Sequence, residues 1–313
     1  MNIDSVNRLK NKINYYVFSN LEKTILENIN GIRFPPIIII GPARSGTTLV
    51  YQCIVKKFNL CYFTNLMSTF RYCPALVSYI VSKTGSRDTS FDFQSNYGKT
   101  EGIHSPSQGN QIWGRWFRGH GPGLPISESS IREMIRIISS IEHHYDLPFV
   151  TKWPGFSVYL ESVAEVFKKA VFIRVSRDPF QTIRSILKGR HDLRGGGNIS
   201  ISRLPSSYSH FQNHASLEQV CAYVIGVEKD IEESIKKIGK ERFKAVDYSD
   251  LCDNPNGTME EIKEWYKRIS GIVLKENNKI VEKFKVSNKL DLAQKREIEN
   301  KYNQIMKEFA SIE

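Results

Sequence analysis

The sequence predicts one α/β domain over 1–313, with a central parallel sheet flanked by helices and a P-loop-like phosphate-binding loop. Short runs rich in Val and Ile alternate with longer helical segments, and these runs are almost continuously apolar. Strands of parallel sheets have this composition because crossover helices bury both of their faces. A glycine-bounded loop after the first such run places a candidate binding site in the fold.

Length, composition and charge agree with a single globular unit. The chain has 313 residues, of which 40% are hydrophobic and 25% are charged, so it can bury a sizeable core. Its net charge of +11 has two explanations, a lysine-rich solvated surface or the attraction of an anionic ligand into a cleft. We expect no nucleic-acid partner, because the lysines are spread along helices and form no basic stripe with interleaved aromatic residues.

The N-terminus, the apolar runs and the cysteines indicate a cytoplasmic protein. Residues 1–14 carry charges throughout and lack the apolar centre of a signal peptide. No run approaches the ~18 apolar residues of a membrane span, so we expect no membrane partner. The five cysteines form no C-x-x-C pair, which favours free thiols in a reducing compartment.

The first elements of the domain follow from apolar periodicity and turn residues. A helix is predicted over 1–30, a strand at 36–40, and a further helix at about 47–58. Residues 59–84 are aromatic and apolar, which indicates a packed helical excursion. The stretch 85–125 is rich in Gly, Ser, Pro and aromatic residues, and in a compact domain this favours a substrate loop or lid.

Helices and strands continue to alternate through the second half. Three more strands are expected, at 148–152, 170–176 and 243–247. Asp178 suits the N-cap of the helix after the middle strand, and Pro179 suits its first position. The stretch 189–216 contains three consecutive glycines and is predicted as a second substrate or lid loop. The tail from Met259 is predicted to be helical and charged.

The loop Gly41–Thr48 follows the first strand and opens the next helix. Backbone N–H groups converge in such a loop, and the helix dipole adds partial positive charge, so it can hold a phosphate. Its spacing resembles the nucleotide motif G-x-x-x-x-G-K-S/T, except that Thr47 stands in the place of lysine. That lysine reaches the β- and γ-phosphates, so its absence argues for a single 5′-phosphate and against an ordinary ATPase or kinase.

Two more features end at the same edge of the predicted sheet, where open α/β sheets bind ligands. Arg177 ends one strand, and Ser185 lies two turns into the helix that follows. Lys152 ends another strand and is followed by Trp153 and Pro154.

Together these features resemble the sulfotransferases that use 3′-phosphoadenosine 5′-phosphosulfate (PAPS). In that family a K/R-S-G-T-T loop holds the 5′-phosphosulfate, an Arg and a Ser eight positions apart hold the 3′-phosphate, and a Tyr after a late strand contacts the adenine. The matching residues of this chain, in the family's order, are Arg44, Ser45, Gly46, Thr47 and Thr48, then Arg177 and Ser185, then Tyr248. The resemblance spans roughly 36–60, 148–190 and 243–265.

The resemblance implies PAPS as co-substrate, 3′-phosphoadenosine 5′-phosphate (PAP) as product, and no required metal. It implies that Arg44 stabilises the bridging oxygen as the leaving phosphate gains charge, and that Lys152 lies near the sulfuryl group. Lys285 and Ser287 loosely resemble a C-terminal K-Y-S element that closes over the nucleotide in some bacterial members, although Val286 replaces the tyrosine.

The branches of the family differ in the residue that serves as general base, and this comparison indicates the candidates in this chain. Cytosolic animal members have a K-T-H arrangement with His as base, whereas Pro154 stands in that place here and accepts no proton. The chain is closer to the carbohydrate- and tyrosine-directed branches, which use a glutamate from an earlier segment. Glu101 and His104 are the candidates, with Glu101 favoured and His104 as its partner or replacement. Each could instead be a loop residue that caps a turn.

The expected function is transfer of the sulfuryl group from PAPS to a hydroxyl, less often an amine, of a small molecule or carbohydrate, with natural products among the acceptors. Two alternatives stay open: an atypical P-loop kinase, and a non-catalytic module that binds adenine nucleotides or anionic glycans. The sequence names neither the acceptor nor the oligomeric state.

Two groups of residues could serve either a functional site or the structure alone. His210 and His214, with Glu218, recur every four positions, but a third clear ligand is lacking and a polar helix face is favoured over a metal site. Three aromatic residues near the base candidates either line the acceptor site or belong to the core: Trp113, Trp116 and Phe117.

Overall fold

The computed structural model describes residues 15–16, 18–27, 29, 31–85, 93, 95–96, 99–117, 126–194, 203–277, 283–285 and 291–312. Its first elements are α1 (Phe18–Leu26), β1 (Ile37–Ile40), α2 (Thr47–Lys57), α3 (Asn65–Thr69), α4 (Pro74–Thr84), β2 (Ser95–Asn96), β3 (Lys99–Thr100), α5 (Asn110–Trp116) and α6 (Glu128–Tyr145). The later ones are β4 (Val150–Lys152), α7 (Leu160–Val166), β5 (Val171–Ser176), α8 (Pro179–Arg194), α9 (Ser216–Ile238), β6 (Phe243–Asp247), α10 (Tyr248–Asp253), α11 (Pro255–Ser270) and α12 (Leu292–Ile312). Short 3₁₀ turns occur at Pro154–Ser157, Ser206–Phe211 and Lys240–Arg242.

The central sheet contains four parallel strands in the order β4-β1-β5-β6. Ile37 of β1 is in register with Val150 of β4 on one side and with Val171 of β5 on the other. Because all four strands run in one direction, their carboxyl ends share one edge, which is where ligands bind in open α/β sheets. The predicted fold class is confirmed, and all four strands occur where the sequence predicts them.

Two apolar cores cover the two faces of the sheet. Ile38 and Ile40 face the first core, which contains residues of α4, α6, α7 and α9, while Ile37 and Ile39 face the second core with α2 and α11. Every residue of β1 is therefore buried, which explains its unbroken run of isoleucine. The three aromatic residues with two explanations belong to the first core: Trp113, Trp116 and Phe117.

Both segments predicted as loops contain regular structure. Within 85–125, β2 and β3 pair as an antiparallel hairpin, and α5 follows. Within 189–216, α8 continues to Arg194, because tertiary contacts outweigh the low helix propensity of Gly189. The buried Arg190 donates from Nη1 to Ser216 Oγ at 3.1 Å, which holds this last part of α8 against α9.

The predicted N-terminal helix is described as α1, and residues 1–14 lie outside the described part of the chain. Glu22 joins α1 to the body of the domain, because its carboxylate accepts hydrogen bonds from the backbone N–H groups of Ala75 at 2.9 Å and Leu76 at 2.7 Å. These are orphan donors at the start of α4, so α1 supplies the cap of another helix. Within the described ranges, no helix is long and apolar enough to span a bilayer.

Candidate anion-binding site

The loop Gly41–Thr48 runs from the carboxyl end of β1 into the start of α2. Gly46 is the N-cap of α2 and no side chain caps it, so the first N–H groups of the helix lack acceptors inside the helix. Ser45 is fully buried, and its Oγ has no hydrogen-bond partner among the described residues. N–H groups at a helix start beside an unsatisfied buried hydroxyl suit an oxyanion.

The ring of Tyr248 packs directly on this loop. A Cβ at Gly46 would lie 2.2 Å from Cδ2 of that ring, closer than atoms can approach. Gly46 also has φ 100°, a left-handed conformation that other residues adopt only with strain. Glycine is therefore required here by both the ring contact and the backbone, and Tyr248 is adjacent to the loop.

Arg44 and Arg177 connect the loop to the helix that follows β5. Arg44 Nε donates to Ser185 Oγ at 3.2 Å, and Arg177 Nη1 donates to the carbonyl oxygen of Arg44 at 3.2 Å. The Arg177 guanidinium also lies 4.4 Å from the ring centroid of Tyr248, a cation–π contact. Four predicted site residues from three parts of the chain thus meet at one sheet edge.

Arg44 has an uncommon backbone conformation for a residue with a side chain. Its φ is 69°, in the left-handed region, which costs about 1–2 kcal/mol for an L-residue other than glycine. Such strain persists where surrounding contacts impose it and is concentrated at functional sites.

Lys152 is the buried cation of the site. It is only 5% exposed at the end of β4, and its Nζ donates to Thr48 Oγ1 at 3.4 Å. Burial, with a smaller contribution from the positive charge of Arg44, lowers the pKa of Lys152 to about 7. Burial also lowers the pKa of Arg177, and Arg44 adds to this effect. An anion bound among these three cations relieves their mutual repulsion.

The two candidate bases lie in the segment after β3. Glu101 is exposed, and its carbonyl oxygen accepts a hydrogen bond from Ser105 Oγ. His104 is partly buried, and its Nδ1 is buried without a hydrogen-bond partner among the described residues.

A residue that the sequence motifs do not mark connects this segment to α2. Gln52 lies one helical turn beyond Thr48, and its Nε2 donates to Thr100 Oγ1 at 3.2 Å. Thr100 is the last residue of β3 and immediately precedes Glu101. This hydrogen bond therefore joins α2 to the strand from which the segment with the two candidate bases continues. The spacing of four positions from Thr48 is the one sequence signal that could have indicated Gln52, because such residues share a helix face.

The C-terminal motif is described only in part. Lys285 is exposed, and Ser287 lies outside the described residues. The neighbouring Phe284 donates its N–H to the carbonyl oxygen of Cys252 in α10 at 2.9 Å. Lys285 is therefore the residue next to a backbone hydrogen bond with α10.

The histidine group does not share one helix face. His210 belongs to a 3₁₀ turn and His214 precedes α9, where it lies 3.5 Å from Glu308. Glu218 instead accepts from Lys301 at 2.7 Å. Among the described residues, no group of three or more His, Cys, Asp or Glu is arranged to hold a metal.

A sequence model of the sulfotransferase family matches residues 35–268, which is more than half of the 313 residues. The chain belongs to the sulfotransferase family. The matched range contains the loop and the ends of all four strands of the parallel sheet. A comparison with curated proteins gives no match.

Solved sulfotransferase structures share the fold. Sulfotransferase STF9 from Mycobacterium avium aligns over 95% of this chain and 74% of its own, with 16% identity and a TM-score of 0.53. Sulfotransferase STF1 from Mycobacterium tuberculosis H37Rv aligns over 91% of this chain and 81% of its own, with 14% identity and a TM-score of 0.53. At these identities the likeness concerns the fold, and family membership comes from the sequence match.

The Gly46–Tyr248 contact leads to a prediction for this sulfotransferase. The nucleotide product that the motif resemblance implies is PAP. In Gly46→Ala the ring of Tyr248 or the loop must shift, so we expect the affinity for this nucleotide to fall by more than about tenfold, together with a loss of stability. Titration calorimetry and thermal unfolding measure the two effects.

Gly85→Ala is the matched control for Gly46→Ala. Gly85 also has positive φ, at 64°, but nothing lies within 4 Å of its added Cβ. It should lose stability through backbone strain and keep its PAP affinity. Equal PAP affinity in the two variants contradicts the ring contact as the cause.

Proposed function

We propose that this enzyme transfers the sulfuryl group of PAPS to a hydroxyl, less often an amine, of a small-molecule or carbohydrate acceptor. The observation that carries the proposal is the meeting of three cations, Arg44, Lys152 and Arg177, with the uncapped start of α2. Their mutual repulsion in the ligand-free protein is offset by a ligand that carries several negative charges. PAPS is such a ligand, with negative charge at both ends.

In this proposal the loop holds the 5′-phosphosulfate. The N–H groups at the start of α2 donate to it, and the hydroxyls of Ser45, Thr47 and Thr48 supply further donors. The buried, unsatisfied Oγ of Ser45 supports this assignment, because a phosphate oxygen gives it a partner. Gly46 allows the close approach of backbone and ligand.

In the proposal, residues at the ends of β5 and β6 bind the 3′-phosphate and the adenine of the nucleotide. Arg177 and Ser185 hold the 3′-phosphate, and the ring of Tyr248 contacts the adenine. The cation–π contact of Arg177 with Tyr248 supports this, because it fixes the guanidinium beside the ring. Lys285, which directly follows the bond of Phe284 to α10, contributes to this end of the site, and so does Ser287, which lies outside the described residues.

The transfer step forms a bond from the acceptor oxygen to sulfur and breaks the bond from sulfur to the bridging oxygen. PAP leaves with the electron pair of that bond, and Arg44 stabilises the charge that develops there. Arg44 exchanges its hydrogen bond to Ser185 for this contact when the nucleotide binds. Lys152 stabilises the sulfuryl oxygens, and these cations supply the positive charge without a metal in the proposal.

The proton of the acceptor hydroxyl passes to Glu101 or His104. The buried Nδ1 of His104, which has no partner among the described residues, supports a role for this side chain in the site. Glu101 is exposed and accessible to a proton from a bound acceptor. A contact between either side chain and the acceptor is part of the proposal.

The test is a screen of acceptors, natural products with free hydroxyls included, with radiolabelled PAPS in the presence of EDTA. We expect label transfer to at least one acceptor and a fall of at least about a hundredfold in kcat for Glu101→Gln or His104→Ala, the usual contribution of a general base. Glu128→Gln, at an exposed ion pair with Arg132, is the control and should keep its activity.

Three results contradict parts of the proposal. Turnover with ATP and Mg²⁺ but not with PAPS indicates a kinase. PAP binding without transfer to any acceptor indicates a binding module. Full activity of both base variants places the base elsewhere.

A further inference from the structure

The loop Gly41–Thr48 has a buried half and a more accessible half. Gly41, Pro42 and Ala43 are buried, whereas Arg44, Gly46 and Thr48 are partly exposed. A buried backbone N–H is costly unless it has an acceptor, so the buried half must find acceptors inside the protein.

The hydroxyl of Ser157 satisfies both backbone groups of Gly41. Its Oγ accepts from Gly41 N at 2.9 Å and donates to Gly41 O at 3.0 Å. Ser157 is 1% exposed and ends the 3₁₀ turn that follows Lys152 and β4. The start of the loop is therefore attached to the segment that carries Lys152.

The hydroxyl of Tyr223 satisfies the next N–H. It accepts from Ala43 N at 3.0 Å, and Tyr223 is 4% exposed on α9. Pro42, between the two attached residues, has no N–H, and Ser45 N donates to Pro42 O at 3.2 Å. The N–H groups of the first half of the loop thus point into the protein and away from any ligand.

We propose that Ser157 and Tyr223 are positioning residues that form a loop clamp. By holding Gly41 and Ala43 inward, the clamp directs the N–H groups at the start of α2 toward the 5′ end of the bound nucleotide. The inference rests on the proposed function and extends it, because neither residue contacts the nucleotide. It also limits the loop to one phosphate-sized group, since two of its N–H groups already have protein acceptors.

The test compares two nucleotides that differ only at the 5′ end. PAP carries both phosphates, and adenosine 3′-phosphate lacks the 5′-phosphate that the loop binds. In Tyr223→Phe and in Ser157→Ala we expect the dissociation constant of PAP to rise about tenfold, the effect of one buried hydrogen bond. That of adenosine 3′-phosphate should change by less than about twofold.

Tyr266→Phe is the matched control. Tyr266 is fully buried, and its hydroxyl donates to Pro35 O at 2.9 Å, just before the opposite end of β1. This variant loses one buried hydroxyl near the same strand but far from the loop, so both nucleotides should bind as in the wild type. Equal PAP affinity in Tyr223→Phe and Tyr266→Phe overturns the clamp, as does equal weakening of both nucleotides in Tyr223→Phe.

Hydrogen exchange tests the clamp without any nucleotide. The amide of Ala43 should exchange at least about tenfold faster in Tyr223→Phe than in Tyr266→Phe, because only the first variant removes its acceptor. Unchanged exchange overturns the clamp. A wild type that binds neither nucleotide refutes the proposed function. In that case the hydrogen-exchange result alone tests whether Tyr223 holds the loop.

Discussion

Replacing Lys152 by methionine is expected to remove most sulfuryl transfer while making the ligand-free protein more stable. In the proposed function the buried ammonium supplies charge in the transition state, and losing such a group lowers kcat by about a hundredfold or more. Without ligand the same charge lowers the stability of the folded protein, because burial lowers the pKa of Lys152 from 10.5 to about 7. Methionine removes this cost, which is at most about 5 kcal/mol at 1.4 kcal/mol per pKa unit.

The sign of the pH dependence follows from the same pKa. The unfolded chain keeps the Lys152 proton up to about pH 10.5, whereas the folded chain loses it above about pH 7. The stability of the wild type therefore rises with pH across this window, and the advantage of Lys152→Met is largest below it. Activity should change with pH in the opposite direction. The value of kcat/KM depends on the charged form of Lys152 in the free enzyme, so it should fall above about pH 7.

Thermal unfolding and pH–rate profiles measure these effects, with Lys152→Arg and Lys244→Met as comparisons. Arginine stays charged, so the alkaline fall in kcat/KM should move to higher pH. Lys244 pairs with Glu261 at 2.8 Å on β6, and its loss should leave kcat unchanged. A Lys152→Met protein that is less stable than the wild type, or equally active, contradicts the role of the buried charge.

Arg177→Ala is expected to weaken PAP binding by about 1.5–3 kcal/mol, the range for hydrogen bonds to charged groups. Adenosine 5′-phosphate, which has no 3′-phosphate, should lose much less affinity. Some loss for both nucleotides is expected, because Arg177 also bonds to the carbonyl oxygen of Arg44 and stacks on Tyr248. Calorimetric titration of both nucleotides separates the two contributions.

Arg242→Ala controls for the loss of a half-buried guanidinium. Arg242 donates to the carbonyl oxygens of Ala170 at 2.9 Å and Phe167 at 3.0 Å, at the other end of the sheet. It should lower stability and leave PAP affinity unchanged. If Arg177→Ala binds PAP as tightly as the wild type does, the 3′-phosphate lies elsewhere.

The fold and the strand-end residues could be predicted because their signals are local. Four isoleucines in β1 mark a strand that is buried on both faces, and Asp178 caps α8 as expected, with its Oδ1 accepting from Gln181 N at 2.8 Å. The motif residues follow directly after strands, so the common direction of the sheet brings them together.

The remaining features depend on contacts that no local pattern encodes. Ser157 and Tyr223 lie 116 and 180 positions from their loop partners, and each is an ordinary residue in its own segment. The continuation of α8 beyond Gly189 depends on contacts of Arg190 with α9. The positions of the two candidate bases depend in the same way on the contact between α2 and β3, which a hydrogen bond from Gln52 to Thr100 provides.

The strand order β4-β1-β5-β6 gives the bound donor a direction. Lys152 ends β4, the loop follows β1, Arg177 follows β5 and Tyr248 follows β6. The proposed nucleotide therefore lies across the strand ends, perpendicular to the strands, with its adenine toward β6. The attacking oxygen must lie on the far side of sulfur from the leaving oxygen, on the axis of the breaking bond. In this proposal that axis continues outward past β4, so the acceptor would approach from the flank of the sheet opposite the adenine.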